Sequence, residues 1–191
     1  MKTLSLHILD ILQNSIRAQA DLIELSIIED LTENTFKIII KDNGKGMDVE
    51  LAKNAVDPFF TTRKTRNVGL GLSLLKQNAE RTGGYLKLNS EINKGTNLEV
   101  MFKHDSIDRP VLGDIAGVIC LTSTSNQNID FIYHHKTDSG EYSYKTKEIK
   151  DILKDINISD PEIMKYLKSM INENLENINA DNKKNRIKIK K

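Results

Sequence analysis

Asp10, Asn14 and Arg17 recur at intervals of four and three residues near the start of the chain. On a helix, at roughly 100° per residue, the three fall within about 60° of one face. Ile8, Leu12 and Ile16 fall on the opposite side. A carboxylate, an amide and a guanidinium therefore share one polar stripe. The Asn14 carbonyl oxygen suits Mg²⁺, which prefers hard oxygen ligands. Arg17 suits phosphate oxygens, and Asp10 suits the orientation of a water or an incoming hydroxyl. The same stripe would serve equally as the solvated face of an amphipathic helix.

A second segment, Asp42-Asn43-Gly44-Lys45-Gly46-Met47, directly follows a strand-like run. Gly44 and Gly46 permit backbone angles closed to other residues and let a ligand approach the chain. A carboxylate at the end of a strand can accept a hydrogen bond from an exocyclic amine such as N6 of adenine. Guanine presents an acceptor there and would leave that group unpaired, a source of selectivity. A plain turn after a strand would also use Asp-Asn-Gly.

The third and fourth segments are Asp57-Pro58-Phe59-Phe60-Thr61-Thr62-Arg63-Lys64 and Gly69-Leu70-Gly71-Leu72. Paired aromatics in a polar stretch can anchor a mobile loop, bringing Thr61, Thr62, Arg63 and Lys64 to phosphates. Gly69 and Gly71 open a helix, whose free N–H groups and dipole favour an anion. The pattern is not a P-loop, because no Gly-x-x-x-x-Gly-Lys-Ser/Thr occurs.

In this order and spacing the four segments resemble the ATP-binding domain of the GHKL superfamily of gyrases, heat-shock chaperones, histidine kinases and mismatch-repair ATPases. They are most similar to histidine-kinase catalytic domains. Asp10–Arg17 matches the N box, Asp42–Met47 the Asp-x-Gly-x-Gly-Met G1 box, Asp57–Arg63 the F box and Gly69–Leu72 the G2 box. Gly83-Gly84 and Lys94-Gly95-Thr96 fit the closing strands, so the resemblance covers residues 1–105. It implies a two-layer α/β sandwich, a mixed sheet with helices on one face, with ATP under a lid formed by residues 57–70. It also implies Mg²⁺ at Asn14 and adenine on Asp42, with Thr96 near the adenine end. Arg17, Met47, Phe59, Thr61, Thr62, Arg63, Lys64, Leu70 and Leu72 join Gly44, Gly46, Gly69 and Gly71 around the nucleotide. Asp10 departs from the pattern: hydrolysing members usually carry Glu there and many histidine kinases Asn, so its reach to an attacking water is shorter.

Positioning these groups requires a helix over 3–20, strands over 22–29 and 36–41, and a short helix over 48–55. A helix over 70–81 stopped by Gly83-Gly84, and strands over 85–90 and 96–103, complete the set. The pattern changes at 105–110. Beyond it, 111–123 reads as a helix or a helix running into a strand, 129–136 and 141–147 as a hairpin, and 147–155 and 161–178 as helices. These predict a small α+β module over 106–180 that completes the fold, makes a dimer, or docks a partner. The last eleven residues, 181–191, read as a basic, solvated, disordered tail.

The 191 residues hold 28 basic and 27 acidic side chains, a net charge of +1. That near-balance disfavours nucleic acid as the main partner. The single cysteine, Cys120, permits no internal disulfide and fits a reducing cytoplasm. No apolar run approaches membrane length. The N box begins at residue 10, leaving no room ahead of it for a His-acid phosphoacceptor pair, and His7, followed by Ile8, lacks that context. These features predict a cytoplasmic Mg²⁺·ATP protein that passes phosphate to an acceptor on a partner protein. An ATP-gated binding switch or slow ATPase is the competing reading.

Overall fold

The computed structural model describes residues 2–56, 70–126, 128–154 and 157–180. Helix α1 (Leu4–Arg17) buries Leu4, Ile8, Ile11 and Leu12, the residues that set its apolar period. It ends three residues before the predicted limit because Gln19 adopts a left-handed backbone, φ 60°, and turns the chain into β1 (Leu22–Asp30). Strand β2 (Thr35–Asp42) returns antiparallel, with Leu25 opposite Ile40 and Ile27 opposite Ile38. Helix α2 (Val49–Asn54) is capped by Asp48, whose carboxylate accepts from the Leu51 N–H at 2.7 Å. Helix α3 (Leu70–Arg81) leads through Gly83, at φ 80°, into β3 (Tyr85–Glu91) and β4 (Gly95–Lys103).

The second half adds α4 (Ile115–Ser125), β5 (Asp130–Thr137), β6 (Gly140–Lys145), α5 (Thr146–Leu153) and α6 (Pro161–Asn177). The open question over 111–123 is answered by a helix that Asp114 caps, accepting from the Gly117 N–H at 2.9 Å. Because α4 packs against α1, α6 and β5, it is apolar nearly all round rather than on one stripe. Asp160 and Pro161 start α6 as their positions predict.

Among the described residues, six strands form one mixed sheet in the order β3-β4-β2-β1-β5-β6. Among these strands only the β1–β5 pairing is parallel, with Ile23 beside Phe131 and Leu25 beside Tyr133. One face carries Ile23, Leu25, Ile27, Phe36, Ile38, Val100, Phe131 and Tyr133, all buried beneath helices. The other alternates with it and is half-exposed, the pattern of a sheet covered on one side. Residues 106–180 therefore share the sheet and helical layer of residues 1–105. The carbonyls of Val111 and Leu112 also accept from the N–H groups of Leu4 and Ser5 at 2.9 and 2.8 Å, tying the connection to the first turn of α1.

A polar cluster lies in this core at the end of β1 remote from Asp42. The Glu29 carboxylate accepts from His135 Nε2 at 2.7 Å and meets His104 Nε2 at 3.1 Å. Burial pushes the Tyr133 phenol well above its ordinary range, so its hydroxyl keeps its proton. It donates to His135 Nδ1 at 2.6 Å and so leaves the Nε2 hydrogen for Glu29.

Candidate functional site

Asp42 is the last residue of β2, in register with Ile23 and Thr96 on its two neighbours. Two donors orient its carboxylate. The buried Ser15 hydroxyl donates to Oδ2 at 2.7 Å, and the Gly44 N–H donates to Oδ1 at 3.0 Å. Ser15 immediately follows Asn14 and faces the sheet, so α1 supports Asp42 from one side while presenting Asn14 from the next. The sequence reading missed Ser15; its signal was a small hydroxyl on the buried side of the helix, one residue past Asn14. Asn43 pins the loop below: its Oδ1 accepts from the N–H groups of Asp21 and Leu22 at 3.1 and 3.0 Å.

The glycines of this loop approach protein rather than open space. A Cβ on Gly44 would lie 2.8 Å from the Ala18 carbonyl oxygen. Gly46 has φ 62°, and its Cβ would lie 2.0 Å from the Glu91 carbonyl oxygen. Gly95, at φ 101°, would place a Cβ 1.9 Å from the Asp42 carbonyl oxygen. Close passage of three chain segments is what demands glycine here, and it locks the end of β2 against the β3–β4 turn. Ser90 completes that lock. Its hydroxyl accepts from the Met47 N–H at 2.9 Å, donates to the Gly95 carbonyl at 2.9 Å and lies 3.0 Å from the Thr96 hydroxyl.

Next to these groups, a cavity of about 480 Å³ lies between α2 and β3, lined by Val49, Ala52, Val56, Leu86 and Leu88. Asn89 and Ser90 also line a second hollow of about 360 Å³, together with Asp42 and Thr96. Either volume is of the size that holds a small organic ligand; the walls of the larger are mainly apolar, whereas the smaller is lined by polar and charged side chains such as Lys41, Glu91, Lys94 and Asn97. Lys53 and Lys76 border the larger cavity and were not singled out by the sequence reading. Neither belongs to a motif; the packing of α2 and α3 on β3 brings them to one cavity.

On α1, Asp10 and Asn14 are half-buried and Arg17 is exposed, with Arg17 Nη2 donating to Asn14 Oδ1. A Cβ on Gly71 would lie 2.2 Å from Asp10 Oδ2, so the first turn of α3 rests directly on that carboxylate. The placement also sets a negative group at a helix N-terminus. His7 lies one turn earlier on α1, 1% exposed, and neither ring nitrogen has a hydrogen-bond partner among the described residues. Burial pushes its imidazole below the ordinary value of 6.5.

The structure thus brings Asp10 and Gly71 together at the α1–α3 contact, with Asn14 one turn further along α1, and Asp42, Gly44, Gly46, Met47 and Thr96 at the strand ends. Leu72 packs against the core. The expectations for Phe59, Thr61, Thr62, Arg63, Lys64 and Gly69 lie outside the described residues, and Leu70 is described only as the first residue of α3. Among the described residues no three His, Cys, Asp or Glu side chains form a metal cluster. No described helix is long and apolar enough to cross a membrane.

Residues 2–106 match the model of the histidine kinase-, DNA gyrase B- and HSP90-like ATPases. The chain belongs to that family. Its matched stretch is 31% identical over 98 residues to the sensor histidine kinase YvrG of Bacillus subtilis, covering 49% of this chain and 17% of that protein. It is 32% identical over 93 residues to the tetrathionate sensor histidine kinase TtrS of Salmonella typhimurium, covering 47% and 16%. The chain therefore spans less than a fifth of each of these relatives. Among solved structures, the N-terminal domain of a DNA repair protein aligns with a TM-score of 0.54 at 21% identity, covering 76% of this chain and 52% of that one. The Aquifex aeolicus MutL ATPase domain complexed with ADP aligns with a TM-score of 0.50 at 13% identity, covering 80% and 69%. These likenesses concern the fold, and they extend past the 105 residues of the family match into the strands and helices that follow it.

Proposed function

We propose that the chain binds Mg²⁺·ATP between α1, α2, α3 and the ends of β2 and β4, and passes the γ-phosphoryl group to an acceptor on a partner protein. The observation that carries this reading is the Asp42 carboxylate, oriented by Ser15 and Gly44 at the end of its strand. It sits beside the Asp10–Asn14–Arg17 stripe in a chain of this ATPase family. Asp42 would accept the adenine amine, with Thr96 and Ser90 beside it. The apolar walls supplied by Val49, Ala52, Leu86 and Leu88 would exclude water from the base.

The donor set suits Mg²⁺: the Asn14 amide and the Asp10 carboxylate are hard oxygen ligands one turn apart on α1. The ion would supply neutralisation of phosphate charge. Asn14 would hold it, and Arg17, Lys53 and Lys76 would steady the phosphates. Asp10 would orient the attacking hydroxyl or water and receive its proton. The work is then positioning and electrostatics, as phosphoryl transfer requires. A second reading, an ATP-gated binding switch with slow or no turnover, is favoured by one observation. Asp10 is short and already engaged by the first turn of α3.

The test uses ATP labelled at the γ-phosphate with wild type and Asn14→Ala. Asn14-dependent label on a co-purified partner supports transfer, and Asn14-dependent free phosphate supports hydrolysis. Bound ATP that keeps its label in the presence of the native partner supports the switch. Unchanged ATP affinity in Asp42→Ala would sink the site itself.

A further inference from the structure

The outer strand of the sheet is nearly its own complement. β6 forms an edge and bonds only to β5; among the described residues no other backbone group reaches it. Its residues read Gly140-Glu141-Tyr142-Ser143-Tyr144-Lys145. Pairing the strand antiparallel with a copy of itself, with Ser143 opposite Ser143, sets each Glu141 against a Lys145 and each Tyr142 against a Tyr144. Residues directly opposite in an antiparallel pair share a face. Glu141, Ser143 and Lys145 would thus meet on the open face, and the tyrosines on the helical face. Shifting the centre by one residue in either direction loses the reciprocal charge match. The other edge, β3, has a single comparable register, centred on Asn89, where each Lys87 meets a Glu91, but there Leu88 meets Ser90 and no aromatic meets an aromatic.

We propose that β6 is a self-association edge, through which two copies of this chain join their sheets into one of twelve strands across a two-fold axis at Ser143. The charged ends are available for it. Lys145 Nζ reaches Glu148 at 2.7 Å and Glu141 lies 3.8 Å from His134 Nε2, but both side chains remain substantially exposed, 46% and 67%. Exposed opposite charges facing each other across strands contribute modestly, while like charges there oppose pairing, so they set register and partner. A two-fold axis perpendicular to the sheet keeps both helical layers on the same side, so neither copy must rearrange. The inference does not depend on the nucleotide site.

The experiment is sedimentation of the full chain over a concentration series, with Glu141→Lys, Lys145→Glu and the double reversal. The wild type is expected to dimerise in a concentration-dependent way, and each single reversal to weaken the dimer by roughly tenfold or more. The double reversal, which restores both opposite-charge pairs, is expected to recover it. Amide hydrogen exchange of the wild type checks the location: protection of 140–145 should rise with concentration. A monomer at every concentration overturns the proposal by showing that the charges only blunt the edge. A dimer indifferent to the single reversals, or one the double reversal fails to recover, overturns it by placing the interface elsewhere.

Discussion

Replacing Gly71 by alanine separates what α3 does for stability from what it does for Asp10. The added Cβ would stand 2.2 Å from Asp10 Oδ2, and the carboxylate must retreat by about 1.2 Å to regain the 3.4 Å of an ordinary contact. The obstacle is the end of a side chain rather than backbone, so α3 can stay where it is. Alanine within a helix is favoured over glycine by up to about 1 kcal/mol, so the melting temperature should hold or rise slightly. A misplacement of about 1 Å at a reacting group costs on the order of 100-fold in rate, or about 2.7 kcal/mol of barrier. Loss of label from γ-labelled ATP, measured beside ATP affinity by calorimetry, should therefore slow by roughly 30- to 100-fold with affinity changed little. Gly71→Ala should add little to the loss that Asp10→Ala causes, because both act through one carboxylate. Unchanged turnover would refute a role for Asp10. An affinity loss as large as the rate loss would mean that Gly71 serves the nucleotide directly.

Ser15→Ala removes a hydrogen bond to a charged group, worth about 1.5–3 kcal/mol, and leaves Asp42 held by Gly44 alone; ATP affinity should fall about tenfold or more and its margin over GTP narrow. Calorimetry with both nucleotides reads this, and equal affinities before and after would contradict the assigned role of Ser15. For His7 the folded pKa lies below 6.5, so the unfolded chain binds a proton that the native state lacks. Stability contributed by neutral His7 is thus complete above about pH 6.5 and falls as pH drops towards the folded value, by up to about 1.4 kcal/mol per unit. The melting-temperature loss between pH 7 and 5 should shrink in His7→Leu; an identical loss would show that His7 is not buried uncharged. Glu29→Leu strips the buried His135 N–H of its acceptor, and leaving a buried donor unsatisfied costs about 1–3 kcal/mol. Chemical denaturation should show that loss with ATP affinity per folded molecule unaltered, since Glu29 and Asp42 lie at opposite ends of the β1–β2 pair.

Much of the first half was legible because its motifs and its periodicity agree. Asp10, Asn14 and Arg17 lie on a helix whose other face is Leu4, Ile8 and Leu12, so one repeat predicts both the element and the stripe it displays. Asp42 was legible as a strand end because alternation runs up to it and Asp-Asn-Gly stops it. The reason for the glycines was not legible. A sequence shows that Gly44, Gly46 and Gly95 tolerate close approach but cannot show to what, and here the neighbours are Ala18, Glu91 and Asp42 backbone from segments far apart in the chain. Ser15, Ser90, Lys53 and Lys76 escaped for the same reason: each acts across a tertiary contact that no local spacing encodes.

The second half shows the limit more sharply. Alternation in 129–136 predicts a strand with Phe131 and Tyr133 on one side, and the structure has it. Alternation is silent on the partner, however, and the change of pattern at 105–110 read as a boundary between modules. What joins β5 to β1 is a parallel pairing reached through α4, a crossover with no short-range signal of its own. The buried polar residues held the missing information. Glu29 and His135 each break an apolar strand face, and either alone would be a costly buried polar group. The cost falls only if the two strands lie side by side with both residues on one face, which the parallel register produces by setting His135 opposite Ile27, two residues before Glu29. Unexplained polar positions on otherwise apolar faces therefore carried the long-range constraint that hydrophobic periodicity could not.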